Sequence, residues 1–272
     1  MQASASISEL SQENHNERQR FEVCLEGLQI RVQKLRSTDK FKNINGFWHS
    51  QDYQGYALVS MLDANPKNEE LSEKLLGIQH RIWQQIQLPR QFYLMPKESF
   101  HQTIVNTLSG NRFKEHIENK GLKSVYHTII KDALDLASKS KLGQPIQMNF
   151  AGLGIFGSAF GVLGTINKTE DWNAILQLRN ELYSNANLNQ HDIKRTRPFI
   201  AHITLGYIDG VLSEADRKKL VEIFNEINSS INFSDLVFNI DKTQLRSYDH
   251  LAEFVYKRNY PSYKFCGHAT WY

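Results

Sequence analysis

The strongest restriction on how this chain folds is that its elements come round twice. From residue 56 the hydrophobic periodicities run strand, helix, strand, helix, strand. The same succession then returns with one further strand at the end. The first strand is "YALVSMLD" (56 to 63), and Asn65 and Pro66 then cap and open a helix carrying Leu71, Leu75, Ile78, Ile82 and Ile86. "QFYLMP" and "FHQTIVNTL" are extended, and a helix with Tyr126, Ile129, Ile130, Ala133 and Ala137 on one stripe follows. "IQMNFAGLG" and "AFGVLGTI" make a hairpin, after which come a helix with Trp172, Ile175, Leu176, Arg179 and Leu182 and the strand "FIAHITLGYI". "SEAD" (213 to 216) starts the last helix through a capping box, and "LVFNID" and "EFVYKR" are the closing strands. The predicted fold is therefore α+β. Two units of about 50–155 and 156–260 are related by a pseudo-twofold, with two antiparallel sheets lining a central cleft and helices outside.

Each unit carries the same short phrase on its middle strand, His101-Gln102-Thr103 and His202-Ile203-Thr204. Residues i and i+2 of a strand project from one face, so each His shares a face with its Thr. Strands related by a pseudo-twofold bring two imidazoles and two hydroxyls to a single ligand. Imidazole titrates near neutrality, so one ring can accept a proton while the other donates one. Displacement at phosphorus needs such a pair, a base for the attacking oxygen and an acid for the leaving oxygen. The hydroxyls of Thr103 and Thr204 can donate to phosphoryl oxygens as charge builds there, and the scheme asks for no metal and no cofactor. A third match, His268 with Thr270 in "GHATWY", follows no strand pattern and is read as accidental.

Other chemistries lack their signatures. "GLGIFG" (152 to 157) satisfies G-x-G-x-x-G, but no helix follows it to receive a pyrophosphate, so a hairpin turn is expected there. Ten histidines include no HExxH and no close His–Cys pairing, and no G-x-S-x-G elbow is present. Cys24 and Cys266 lie near opposite ends without a CxxC spacing, and both are read as free thiols of a reducing compartment. The longest apolar stretch is broken by glycines and too short to span a bilayer, and the polar first residues have no signal-peptide core. A cytoplasmic protein with no membrane partner, and a monomer, is expected. The net charge of +3 argues against a surface that coats DNA or long RNA, while a small anionic ligand fits it.

"SFHQTIVNTL" and "RPFIAHITLGYI", with "QMNFAGLGIF" and "FGVLGTI" between them, resemble the two-histidine (2H) phosphoesterase superfamily, the LigT-like group of RNA 2′,3′-cyclic phosphodiesterases and 2′-5′ RNA ligases. The resemblance covers about residues 50 to 260. It leaves out an N-terminal extension (1–49) with one helix and a C-terminal tail (261–272). It implies metal-independent hydrolysis of a 2′,3′-cyclic or 2′-5′ phosphodiester of a nucleotide or RNA end. His101 and His202 would be acid and base, and Thr103 and Thr204 would bind the phosphate. Family strands place an apolar residue between His and Thr. Ile203 obeys, but Gln102 does not, which implies either a shallower first unit or a shifted strand. Asn106 is placed on the face of Gln102, away from the site, and Tyr207, three residues after Thr204, is assigned to the core.

Beside the histidines, "KRTRPF" supplies Lys194, Arg195 and Arg197 as an anion-steering loop, with Arg195 and Arg197 as substrate-binding candidates. Phe156, at the hairpin tip between the units, either stacks on a base or packs in the core. The rival reading is a catalytically weak module that holds RNA ends or a phosphorylated ligand in the same cleft.

Overall fold

The computed structural model describes Val32 and residues 35–267. Of the expected N-terminal helix, Val32 is helical and residues 35–37 are not; the rest of it lies outside these residues, as do Cys24, His268 and Thr270. A hairpin of β1 (Phe41–Ile44) and β2 (Phe47–Ser50) turns on Asn45 and Gly46, both at positive φ. β3 (Gly55–Met61) leads into α1 (Glu69–Ile86), and the side chain of Asn65 accepts a hydrogen bond from the Lys67 amide in the turn before that helix. β4 (Phe92–Leu94) and β5 (His101–Ser109) precede α2 (Tyr126–Leu136). The second succession is β6 (Ile146–Phe156), β7 (Ala159–Thr165), α3 (Thr169–Ser184), β8 (His202–Ile208) and α4 (Glu214–Ser230). Ser213 caps α4 by accepting from the Asp216 amide, as its capping box predicts. Three strands finish the chain: β9 (Val237–Ile240), β10 (Lys242–Tyr248) and β11 (Ser262–Lys264).

These elements form an α+β fold with antiparallel sheets. One sheet has the order β11-β10-β3-β5 and the other β4-β8-β7-β6-β9. The division expected at residues 155 and 156 does not follow the sheets. β6 turns through Gly157, at φ +70°, directly into β7, so the tight hairpin holds both strands in the second sheet. β4 also joins that sheet, against β8, while β10 crosses back to pair with β3. The expected strand "EFVYKR" is replaced by β10, and residues 249 to 255 form a loop joined to it by backbone bonds between Ser247 and Val255 and by Arg246, which donates to Phe254 O. "GLGIFG" lies within β6 and its turn, with no helix after it.

The apolar stripes of the helices pack where their spacing places them. Leu75 and Ile82 on α1 and Ile175 on α3 are fully buried, each contributing about 1.5–3 kcal/mol by leaving water. A second, small cluster of Ala57, Val59, Met61, Tyr248 and Phe254 lies on the other face of the first sheet, where the 249–255 loop covers it. No helix among the described residues is long and apolar enough to cross a membrane.

Candidate functional site

His101 and His202 are the first residues of β5 and β8, and both line one cleft together with Thr103 and Thr204. The two rings are held alike. His101 Nδ1 is 2.6 Å from the carbonyl of Ser99, and His202 Nδ1 is 2.8 Å from that of Ile200, in each case two residues upstream. A carbonyl only accepts, so each Nδ1 carries the proton and each Nε2 keeps its lone pair for a ligand. A phenylalanine flanks each ring, Phe254 at 4.2 Å from His101 and Phe156 at 4.8 Å from His202. Loss of solvent, with smaller contributions from the neighbouring His202 and Arg246, holds His101 down at about 4; His202 is also lowered, again mainly by burial.

Both strands carry a one-residue bulge at the same place. Thr103 pairs with Val59 and Val105 with Leu58, leaving Ile104 extra; Thr204 pairs with Gly161 and Gly206 with Phe160, leaving Leu205 extra. An extra residue reverses the alternation of faces beyond it. Asn106 and Tyr207 therefore turn into the cleft, where both are lining residues, and neither lies on the face that strict alternation assigns to it. Burial keeps the Tyr207 phenol well above its usual range, so it is a hydroxyl donor. Each bulge carbonyl is taken up by a buried helix side chain. Gln79 of α1 donates to Leu205 O at 2.7 Å, and Arg179 of α3 donates to Ile104 O at 2.5 Å. Arg179 belongs to the stripe expected of α3, whereas Gln79, next to Ile78 on α1, was not anticipated.

Gln102 answers for its own irregularity. It is fully buried, so the first sheet is not shallow there. Its amide oxygen accepts from the backbone N–H of His202 at 2.6 Å, and its nitrogen donates to Thr103 O at 2.7 Å. The polar residue between the first His and Thr thus ties one histidine strand to the other. Gln102→Leu is expected to cost about 1–3 kcal/mol, because the His202 N–H then stays buried without an acceptor. Urea denaturation measures this, and an unchanged midpoint would contradict the bridge.

The cleft has two connected parts of ≈ 180 and ≈ 360 Å³ that share His202, both threonines, Asn106, Tyr207 and Arg197. Among the described residues no carboxylate lines either part. Arg197 reaches the cleft as expected, and so does Phe156. Arg195 does not: it bonds Asn180 and lies 5.9 Å from the Tyr183 ring, held against α3 by these partners. Lys194 is likewise turned aside, 2.6 Å from Asp192, which also pairs with Arg112. Those two cations, Lys194 first, hold the Asp192 carboxyl down at about 2. Lys40, Tyr53, Arg112, Tyr248 and Phe254 line the cleft without having been anticipated. Phe254 was hidden because its segment looked like a strand, and Lys40 because it precedes the repeat. No group of three or more His, Cys, Asp or Glu able to hold a metal occurs among the described residues, where Cys266 is a free thiol.

An α+β scaffold presenting paired His-x-Thr strands to a cationic cleft is the class of molecule these observations define. No protein-family model matches the chain, and no curated protein does. Among solved structures, a conserved protein of unknown function from Agrobacterium tumefaciens is similar, at 13% identity and a TM-score of 0.56, over 78% of this chain and 88% of that one. The Thermus thermophilus protein TT0787 aligns at 14% identity and a TM-score of 0.41, over 71% of this chain and 87% of that one. The first similarity concerns the fold alone.

Proposed function

We propose that the chain is a two-histidine phosphodiesterase that opens a 2′,3′-cyclic or 2′-5′ phosphodiester of a nucleotide or RNA end. The observation that carries this is the equal treatment of His101 and His202, each with Nδ1 on a carbonyl two residues upstream and each sharing a strand face with a Thr. In the reaction one neutral Nε2 takes a proton from water as the water oxygen attacks phosphorus. The other imidazole, protonated, gives its Nε2 proton to the departing ribose oxygen. One P–O bond forms and one breaks, leaving a phosphomonoester and a free hydroxyl. Thr103 and Thr204 donate to the non-bridging oxygens as they gain charge, and no step calls on a metal.

The test is incubation with EDTA and a panel of nucleoside 2′,3′-cyclic monophosphates and 2′-5′ linked oligonucleotides. Persistent ring opening or cleavage is expected, and inactivity across the panel would overturn the proposal. The pH dependence is a separate expectation. In the free protein both imidazoles are depressed below 6.5 and are neutral at pH 7, so the base is ready but the acid form is scarce. Lowering the pH supplies the acid until the base protonates in turn. A bell in kcat/KM is therefore expected with its maximum between about 4 and 6.5. Bound phosphate favours imidazolium, so the basic limb of kcat lies at higher pH than that of kcat/KM. Flat profiles across this range would count against the pair.

A further inference from the structure

The larger part of the cleft continues past His202 to a wall that lies before the repeated units. Lys40 belongs to that wall, and Tyr53 and Arg197, which also line the smaller part, line the larger part with it. Lys40 is held by a built frame. Thr38 N–H donates to Ile208 O on β8 at 2.9 Å, the Lys40 amide donates to Thr38 Oγ1 at 3.0 Å, and Gln51 N–H donates to Lys40 O at 2.8 Å. The next residue, Phe41, is fully buried, stacked 3.9 Å from the Tyr93 ring and 5.2 Å from that of Tyr207. The hairpin therefore packs behind a cleft residue and fixes the lysine at the cleft's edge.

The ammonium of Lys40 sits 3.4 Å above the centre of the Tyr53 ring. That ring is in turn anchored by its hydroxyl, 3.0 Å from Ser109 Oγ. A ring face holds a cation without cancelling its charge. The carboxylate that Lys40 meets, Asp39 at 2.8 Å, is 83% exposed and lies in solvent, where screening weakens it. Arg197 is exposed and, among the described residues, has no carboxylate partner. A scissile diester carries a single negative charge and already has two threonine hydroxyls and two imidazoles. The additional cations, in a volume of ≈ 360 Å³ lined by no acid, exceed what that one group requires.

We infer that the cleft seats a second phosphate of the substrate on Lys40 and Arg197, so that the substrate class is nucleotides bearing a phosphate beyond the scissile diester. This rests on the diesterase reading only for the first phosphate. The second can be a terminal 5′-phosphate or the neighbouring internucleotide phosphate of an RNA end. Phe156 lines the same part of the cleft and is an aromatic ring on which the base of such a nucleotide can stack.

The experiment measures binding of adenosine 3′,5′-bisphosphate and adenosine 3′-monophosphate to the full chain by calorimetry. Alongside it, turnover is compared on adenosine 2′,3′-cyclic phosphate with a 5′-hydroxyl, with a 5′-phosphate, and extended by one 5′ nucleotide. The bisphosphate is expected to bind about tenfold more tightly, the scale of one hydrogen bond to a charged group. The ratio should shrink toward one in Lys40→Gln and in Arg197→Gln. Preference for the 5′-phosphate arm or for the extended arm tells which phosphate occupies the seat. Equal affinities in the unaltered protein, or a ratio unmoved in both variants, would overturn the inference. Turnover of the 5′-hydroxyl substrate without any preference leaves the diesterase standing and removes the second seat. A tenfold binding preference without turnover of any diester does the reverse.

Discussion

Replacing either cleft histidine by alanine is expected to lower kcat on a 2′,3′-cyclic substrate by about 10²–10⁴-fold, the contribution of one positioned acid or base. The two losses should not multiply in the double variant, because the groups act on one transition state and the remaining partner has little to do alone. In this scheme the effect should appear in kcat rather than KM, since Thr103 and Thr204 would still hold the scissile phosphate. A diester with an acidic phenol as leaving group separates the roles. That group departs without a proton, so the variant lacking the acid recovers most of its rate and the variant lacking the base does not. His101, driven down to about 4, is neutral over most of the working range and fits the base; His202 then fits the acid. Either variant keeping activity within tenfold of the unaltered protein on the cyclic substrate would refute the two-histidine scheme. Recovery of His101→Ala in place of His202→Ala on the phenolic diester would reverse the assignment.

The elements and the pairing of His with Thr were legible because they depend on short-range periodicity. The i, i+2 relation survives in both strands, and the stripes of α1 and α3 bury as their spacing requires. What could not be read depends on one residue more or less. Without the extra Ile104 and Leu205, Asn106 and Tyr207 would face the helices, and nothing local announces a bulge in "HQTIVN" or "HITLGY". The sheets were misdivided for a related reason. A strand's partner is chosen by the whole topology, so β10 could return to β3 although β9, only two residues earlier, pairs with β6. Gln102 was legible as an anomaly but not as a bridge, because its partners, His202 N–H and Ile200 O, are about a hundred residues away. Arg179 was in view as a charge on an apolar stripe. Its burial is explained by the Ile104 and Arg197 carbonyls at 2.5 and 3.3 Å that receive its guanidinium.

The bulge in β8 also requires a glycine opposite it, and this leads to the largest expected effect on stability. A Cβ at Gly161 would lie 2.0 Å from the carbonyl oxygen of Ile203 and 3.0 Å from Thr204 Cα. Both atoms are backbone of the histidine strand, so no side chain can swing aside to make room. Gly161→Ala is expected to destabilise by about 3 kcal/mol, at the upper end for overpacking because the obstruction is main chain. Gly77 offers the opposite sign in the same protein. It lies on the exposed face of α1 with nothing within 4 Å of an added Cβ, so Gly77→Ala should stabilise by about 1 kcal/mol through helix propensity alone. Measuring both by urea denaturation removes any general effect of adding a methyl group. If β7 instead moves away to accept the methyl, the displacement passes to Ile203 and from there to His202 and Thr204 on either side of it. The stability loss would then come with a fall in kcat. Equal stability of Gly161→Ala and the unaltered protein would mean that β7 and β8 do not approach this closely. The bulge, and with it the turning of Tyr207 into the cleft, would then be wrong.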